Sequence, residues 1–152
     1  MLIGVLETGH ALDALMDTRG DYDKIFGDLL GRYGFETKAW FVVDGDHPES
    51  PDDADGWIIT GSKHGAYENH PWIPPLEDFI RAVYAEGRPM VGVCFGHQII
   101  AQALGGKVVK FDQGWAVGHT DYQIDGQDMR LLAWHQDQVV KRPAGATVIG
   151  SN

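Results

Sequence analysis

Residues 89–106, PMVGVCFGHQIIAQALGG, press a strand, a bend and a helix into one short run, and few folds accommodate that arrangement. Pro89 precedes the apolar stretch Met90–Val93, which reads as a buried strand. Helical spacing resumes with Ile99, Ile100, Ala103 and Leu104, and Gly105-Gly106 ends it. Cys94, the only cysteine in the chain, falls in the bend between Gly92 and Gly96, where side chains would otherwise clash. A thiol at the start of a helix is favoured as thiolate, the attacking form. The run predicts a nucleophile elbow.

The rest of the chain repeats the strand–helix alternation. Leu2–Leu6 reads as a strand closed by Glu7-Thr8-Gly9, and residues 8–20 as a polar loop. Tyr22, Ile25, Phe26, Leu29, Leu30 and Tyr33 mark one face of a helix, with Asp21 as N-cap and Gly34 as C-cap. Phe35–Val43 and Trp57–Ile59 are further strands, separated by an acidic, turn-rich segment. Leu76, Phe79, Ile80, Val83 and Tyr84 stripe another helix that stops at Gly87. This order predicts an α/β fold of three layers, flavodoxin-like, with a mostly parallel sheet and helices on both faces. After residue 106 the texture becomes β-rich, with strands expected at Lys107–Phe111, Tyr122–Ile124, Met129–Ala133 and Ala146–Ile149. Ligands of open α/β sheets bind outside the carboxyl ends of the strands, which collects Glu7-Thr8-Gly9, Thr60-Gly61-Ser62 and Cys94 at one edge.

Bulk properties narrow the function classes. The 152 residues suit one domain, and a net charge of −10 argues against nucleic acid and anionic membrane surfaces as partners. No apolar run of about 18 residues suggests a membrane span. Met1–His10 lacks the basic region of a signal peptide, and one cysteine excludes an internal disulfide framework. A cytoplasmic protein is expected.

The blocks 89–106, DADGWIITGSKHGAY (53–67) and WHQDQV (134–139) resemble the class I glutamine amidotransferase-like family, and the resemblance runs over nearly the whole chain. It implies that Cys94 attacks the γ-carbonyl of glutamine or a γ-glutamyl compound, forming a thioester that water hydrolyses to glutamate. The backbone N–H of Phe95 and the Gly61-Ser62 turn would supply the oxyanion hole. Gln98 would touch substrate, although helix packing explains its placement equally well. Gly114-Trp115 would contact the amino-acid end of the substrate through the backbone, with a core position for Trp115 as the alternative. His135 and Glu7 would border the cleft, Glu7 otherwise being a solvated strand-end carboxylate. The resemblance implies no cofactor, a small-molecule substrate and, for an ammonia donor, a separate ammonia-accepting synthetase.

The family carries its base and carboxylate as a His-x-Glu pair on a late segment, and none follows the elbow here. Residues 1–152 are therefore expected to be one amidotransferase-like domain without that C-terminal part, and a protein that lacks it altogether is expected to expose an apolar strip beside Cys94 and to turn over little or no glutamine. A shortened, catalytically silent relative is the competing expectation. Of the seven histidines, His97 is expected to pack or hydrogen-bond on the first turn of its helix. His10, His47, His64, His70 and His119 are expected as solvated loop residues, with His64 and Tyr67 near the mouth of the oxyanion loop. None shows metal-ligand spacing, so no metal is expected. Two other functions stay open: a redox or stress-response protein using the elbow cysteine with Glu7, and a silent module that only binds γ-glutamyl groups.

Overall fold

The computed structural model describes residues 1–151. Four strands, β1 (Leu2–Leu6), β2 (Glu36–Trp40), β3 (Gly56–Ile59) and β4 (Met90–Gly92), form one sheet in the order β2-β1-β3-β4, with every pair parallel. Leu6 lies beside both Trp40 and Ile59, and Ile59 beside Gly92, so these positions share one face. Helices α3 (Ile73–Ala85) and α4 (Phe95–Ala103) cover it. Their Leu76, Ile80, Val83, Phe95 and Ile99 close over Leu6, Trp57 and Ile59 in a single buried cluster. Helix α2 (Tyr22–Gly31) takes the opposite face, its Gly27 backing onto Thr37, the residue beside Ile3. The α/β fold, parallel sheet and helices on both faces are as the alternation predicted.

Local signals behave as physical chemistry dictates. The Asp21 carboxylate accepts the Tyr22 N–H at 2.9 Å and caps α2, and Gly34, at φ +81°, turns the chain away just beyond its end. The β-rich remainder comprises β5 (Lys107–Lys110), β6 (Ala116–Ile124), β7 (Gln127–His135), β8 (Asp137–Lys141) and β9 (Gly150–Ser151). β5 pairs antiparallel with β8, while β7-β6-β9 form a second antiparallel sheet. Asp125 and Gly126, both at positive φ, make the two-residue turn between β6 and β7.

Several expectations need correction. The loop expected over residues 8–20 contains helix α1 (Asp13–Arg19), in which Ala14, Leu15, Met16 and Arg19 are good helix formers but no residue is buried. The strand expected over Phe35–Val43 stops at Trp40, because Val43 donates to the Glu7 carbonyl at 3.1 Å while Val42–Asp44 wind into a 3₁₀ turn. Strand β4 is not buried as expected: Val91 is 56% and Val93 41% exposed. Val91 lies beside Ile58 on the α2 face, on the strand that ends the sheet. Leu29, Tyr33 and Tyr84, expected on buried stripes, are exposed. Ala146–Ile149 is not a strand, since Ala146 closes a turn onto the Pro143 carbonyl and pairing begins only at Gly150. β8 was not anticipated.

One close approach explains a glycine inside a strand. Trp57 packs against Trp40 and Phe79, ring centroids 5.2 and 4.7 Å away, and lies over Gly4. A Cβ on Gly4 would come within 2.3 Å of the indole. Gly4→Ala is expected to destabilise the chain by about 2 kcal/mol or more through overpacking, read as a lower urea midpoint together with a changed tryptophan emission spectrum.

Candidate active site

The bend between β4 and α4 is as tight as the glycines implied. A Cβ on Gly92 would lie 2.3 Å from the carbonyl carbon of Gly96, and one on Gly96 would lie 2.2 Å from the Ile59 oxygen. The Gly96 N–H is shared between the carbonyls of Val93 and Thr60, at 2.9 and 3.1 Å, which ties the bend to the end of β3. Cys94 sits at φ +54° and ψ −108° at the start of α4, a conformation that L-residues rarely adopt. The residue is exposed, while Phe95 beside it is buried.

The neighbouring strand ends are locked together. Thr8 and Thr60 are fully buried; Thr8 N–H donates to Thr60 Oγ1 at 3.0 Å, and Thr8 Oγ1 donates to the Thr60 carbonyl at 3.0 Å. That pairing brings Gly61 to Cys94, where a Cβ on Gly61 would be 3.7 Å from the cysteine Cβ and 3.9 Å from the Tyr22 hydroxyl. Ser62 follows, its Oγ accepting the His64 N–H at 3.1 Å. Partial desolvation pushes the Cys94 thiol above its ordinary range; the Phe95 N–H works in the opposite direction, and the charge of Asp137 adds to the rise. The thiolate expected from the helix terminus is thus opposed by the surroundings of the sulfur.

Asp137 and two tyrosines complete the surroundings of the thiol. Gln98 is buried, and its amide donates to the Asp137 carbonyl at 3.2 Å, fastening α4 to β8. Tyr67 Oη donates to the Asp137 carboxylate at 3.0 Å, bringing the loop after β3 to the same place. Tyr22 reaches the site from α2: burial raises its pKa first, and the nearby Cys94 charge second. Tyr22 had been read only as part of a helix stripe and Asp137 only as part of WHQDQV. A tyrosine at the first turn of a helix that faces strand ends was the available signal.

Glu7 departs from expectation most. It is fully buried rather than solvated; Oε1 accepts the Asp23 N–H at 3.2 Å and Oε2 has no partner among the described residues. Burial, reinforced by Asp21, pushes its pKa up to about 7. His10 Nδ1 meets Asp21 at 2.6 Å and His10 Nε2 meets Asp44 at 3.1 Å, and the hydrogen bond to Asp21 raises the His10 pKa. His10 is therefore a bridge between carboxylates, not a free loop residue.

The remaining residues divide. Gly114, at φ +99°, closes the turn after β5. Trp115 is 61% exposed, so the core position is excluded; its ring meets that of Trp134, itself exposed, at 6.4 Å. His135 is half-buried at the end of β7, and its charge lowers the pKa of His97 after desolvation does. His97 is exposed and makes no side-chain hydrogen bond among the described residues, contrary to expectation. No imidazole hydrogen-bonds the Cys94 sulfur among the described residues. The His-x-Glu triplet at His47-Pro48-Glu49 lies in the loop after β2, ahead of the elbow. His64 and His70 are not isolated either, since both meet Glu68.

Comparison with known proteins bears on the family and the fold. The family profile "Glutamine amidotransferase class-I" matches residues 22–152. Gamma-glutamyl peptidase 4 of Arabidopsis thaliana is 34% identical over 148 residues, covering 87% of this chain and 59% of that protein. The glutamine-hydrolyzing GMP synthase of Azoarcus sp. is 34% identical over 113 residues, covering 64% of this chain and 21% of that protein. A crystal structure of a glutamine amidotransferase from Methylobacillus flagellatus superposes with a TM-score of 0.78 at 23% identity, covering 99% of this chain and 60% of that one. The chain thus spans about three fifths of the length of the peptidase and of the solved structure.

Two measurements test the site's construction. Gly96→Ala is expected to lose at least about 3 kcal/mol of stability, because the Ile59 carbonyl cannot move without breaking the sheet; calorimetric unfolding reads it. For Glu7, the folded pKa lies above the unfolded 4.5, so its stabilising contribution is complete below 4.5 and is lost as pH rises through about 7. Glu7→Gln, neutral throughout, is expected to gain on the native chain by roughly 3 kcal/mol across that interval. Parallel pH–stability curves for the two proteins would contradict this.

Proposed function

The chain belongs to the glutamine amidotransferase class-I family, and from that premise we propose that Cys94 is the nucleophile of a γ-glutamyl amide hydrolase. Cys94 Sγ attacks the γ-carbonyl, ammonia or an amine leaves with a proton, and the resulting thioester is hydrolysed to glutamate. The observation that carries this reading is the strained turn at Cys94, which presents the thiol beside Gly61 at the carboxyl ends of the strands. Strain of about 1–3 kcal/mol is tolerated where the surrounding structure over-determines it, as it does at active sites.

Within this reading residues 1–152 form one amidotransferase-like domain. The Phe95 N–H and the Gly61-Ser62 backbone are the oxyanion donors; losing one such donor typically costs about 3 kcal/mol. Gln98, whose amide also donates to the Asp137 carbonyl, contacts the substrate, while Gly114 and Trp115 contact its amino-acid end through the backbone. His135 and Glu7 lie at its margins. The proton acceptor for Cys94 is the histidine of a His-x-Glu pair, which the described residues do not bring to the sulfur. The substrate is glutamine or a γ-glutamyl compound, the family of acceptors including a separate synthetase. The redox alternative would need Glu7 to serve Cys94, whereas Glu7 is buried and its Oε1 accepts the Asp23 N–H at 3.2 Å.

Glutamine and a γ-glutamyl dipeptide offered side by side to the complete protein distinguish ammonia release from peptide cleavage. Cys94→Ala is expected to lower kcat by about 10⁴-fold or more, as removal of a covalent nucleophile does, with the fold retained by circular dichroism. Hydrolysis that survives this substitution would end the proposal. Because the thiol titrates above its usual range, kcat/KM of the free enzyme is expected to climb toward alkaline pH before levelling.

A further inference from the structure

The loop between β3 and α3 gathers three potential ligands from the short run 64–70. His64, Glu68 and His70 each offer a ligating atom, and these atoms lie within 4.8 Å of one another. His64 Nδ1 is 3.4 Å and His70 Nε2 2.7 Å from Glu68 Oε2. We propose that this loop binds a single divalent transition-metal ion through His64, Glu68 and His70.

The spacing suits such an ion. At metal–ligand distances of about 2.0–2.1 Å, tetrahedral ligands stand roughly 3.3 Å apart. The His64–Glu68 pair already has that separation, and the His70–Glu68 pair opens slightly as the metal replaces their shared proton. Two imidazoles and one carboxylate favour zinc and its transition-metal neighbours over calcium or magnesium, which prefer all-oxygen shells. Three protein ligands leave the fourth position to solvent, in keeping with an exposed Glu68 and half-buried histidines.

The rings are held in place before any ion arrives. Trp72, itself buried, stacks on His70 with centroids 5.8 Å apart and meets His64 at 5.9 Å, while the two imidazoles are 4.2 Å apart. The main chain is braced by Glu68 N–H to Gly65 O at 3.0 Å, His70 N–H to Glu68 O at 3.1 Å and Ile73 N–H to His70 O at 3.1 Å. Such preorganisation lowers the entropy lost on binding. An ion here would also brace the neighbourhood of Cys94, because the His64 N–H holds Ser62 and Trp72 packs on Phe95 at 5.6 Å.

The test uses zinc and cobalt(II) ions alone. Calorimetric titration of the protein with Zn²⁺ is expected to show one ion per chain, and Co²⁺ to give visible bands of a low-symmetry nitrogen–oxygen site. His64→Ala, Glu68→Gln and His70→Ala are each expected to weaken binding at least tenfold, with melting curves confirming that the variants fold. Cys94→Ser is expected to leave the affinity unchanged. Absence of saturable binding, equal affinity in a His64→Ala/His70→Ala double variant, or a sulfur-to-cobalt charge-transfer band lost in Cys94→Ser would each overturn the proposal, the last by placing the ion on the thiol.

Discussion

The main chain of Gly96 presses so closely on the Ile59 carbonyl that no side chain fits at that position. From that contact the geometry of the whole edge follows. It sets α4 directly over β3, which puts Phe95 and Ile99 into the central cluster. It also forces the residue before the helix into left-handed backbone, so that the thiol of Cys94 is lifted out of the packing. The paired threonines at positions 8 and 60 then decide what stands beside the sulfur, because their mutual hydrogen bonds leave the following Gly61 in contact range.

Burial and exposure are unevenly divided over this frame. The face under α3 and α4 is closed, with Leu76, Ile80 and Val83 wholly sequestered. The face under α2 is only half covered: no residue of α2 is buried, and the sheet ends there with Val91 and Val93 open to water. The β6–β7 ribbon is likewise wet on most of its length, carrying Leu132 and Trp134 at its surface with the exposed Trp115 just ahead of it. The central site is therefore supported rigidly from one side and lightly from the other.

Legibility in the sequence followed the range of the interactions. The elbow was readable because glycine spacing, an apolar strand and a helical stripe all lie within one short run. The Asp21 cap and the parallel sheet were readable for the same reason. Glu7 was misread because nothing local announces that Asp23 and Trp40 will enclose it; its backbone N–H bonds to the Trp40 carbonyl, far along the chain. Asp137 was hidden because its partners, Tyr67 and Gln98, come from two other elements. The β6–β7 hairpin had a local signal in Asp125-Gly126, which alternating strands on both sides would have exposed. The His64–Glu68–His70 convergence depends on loop conformation, which spacing alone does not reveal.

Cys94 occupies a backbone conformation that glycine enters without penalty. A chain bred only for thermal resilience would therefore drift toward glycine at that place, gaining firmness while discarding its sulfur. At that bend backbone ease and a thiol are alternatives, since the residue that relaxes the turn carries no side chain at all.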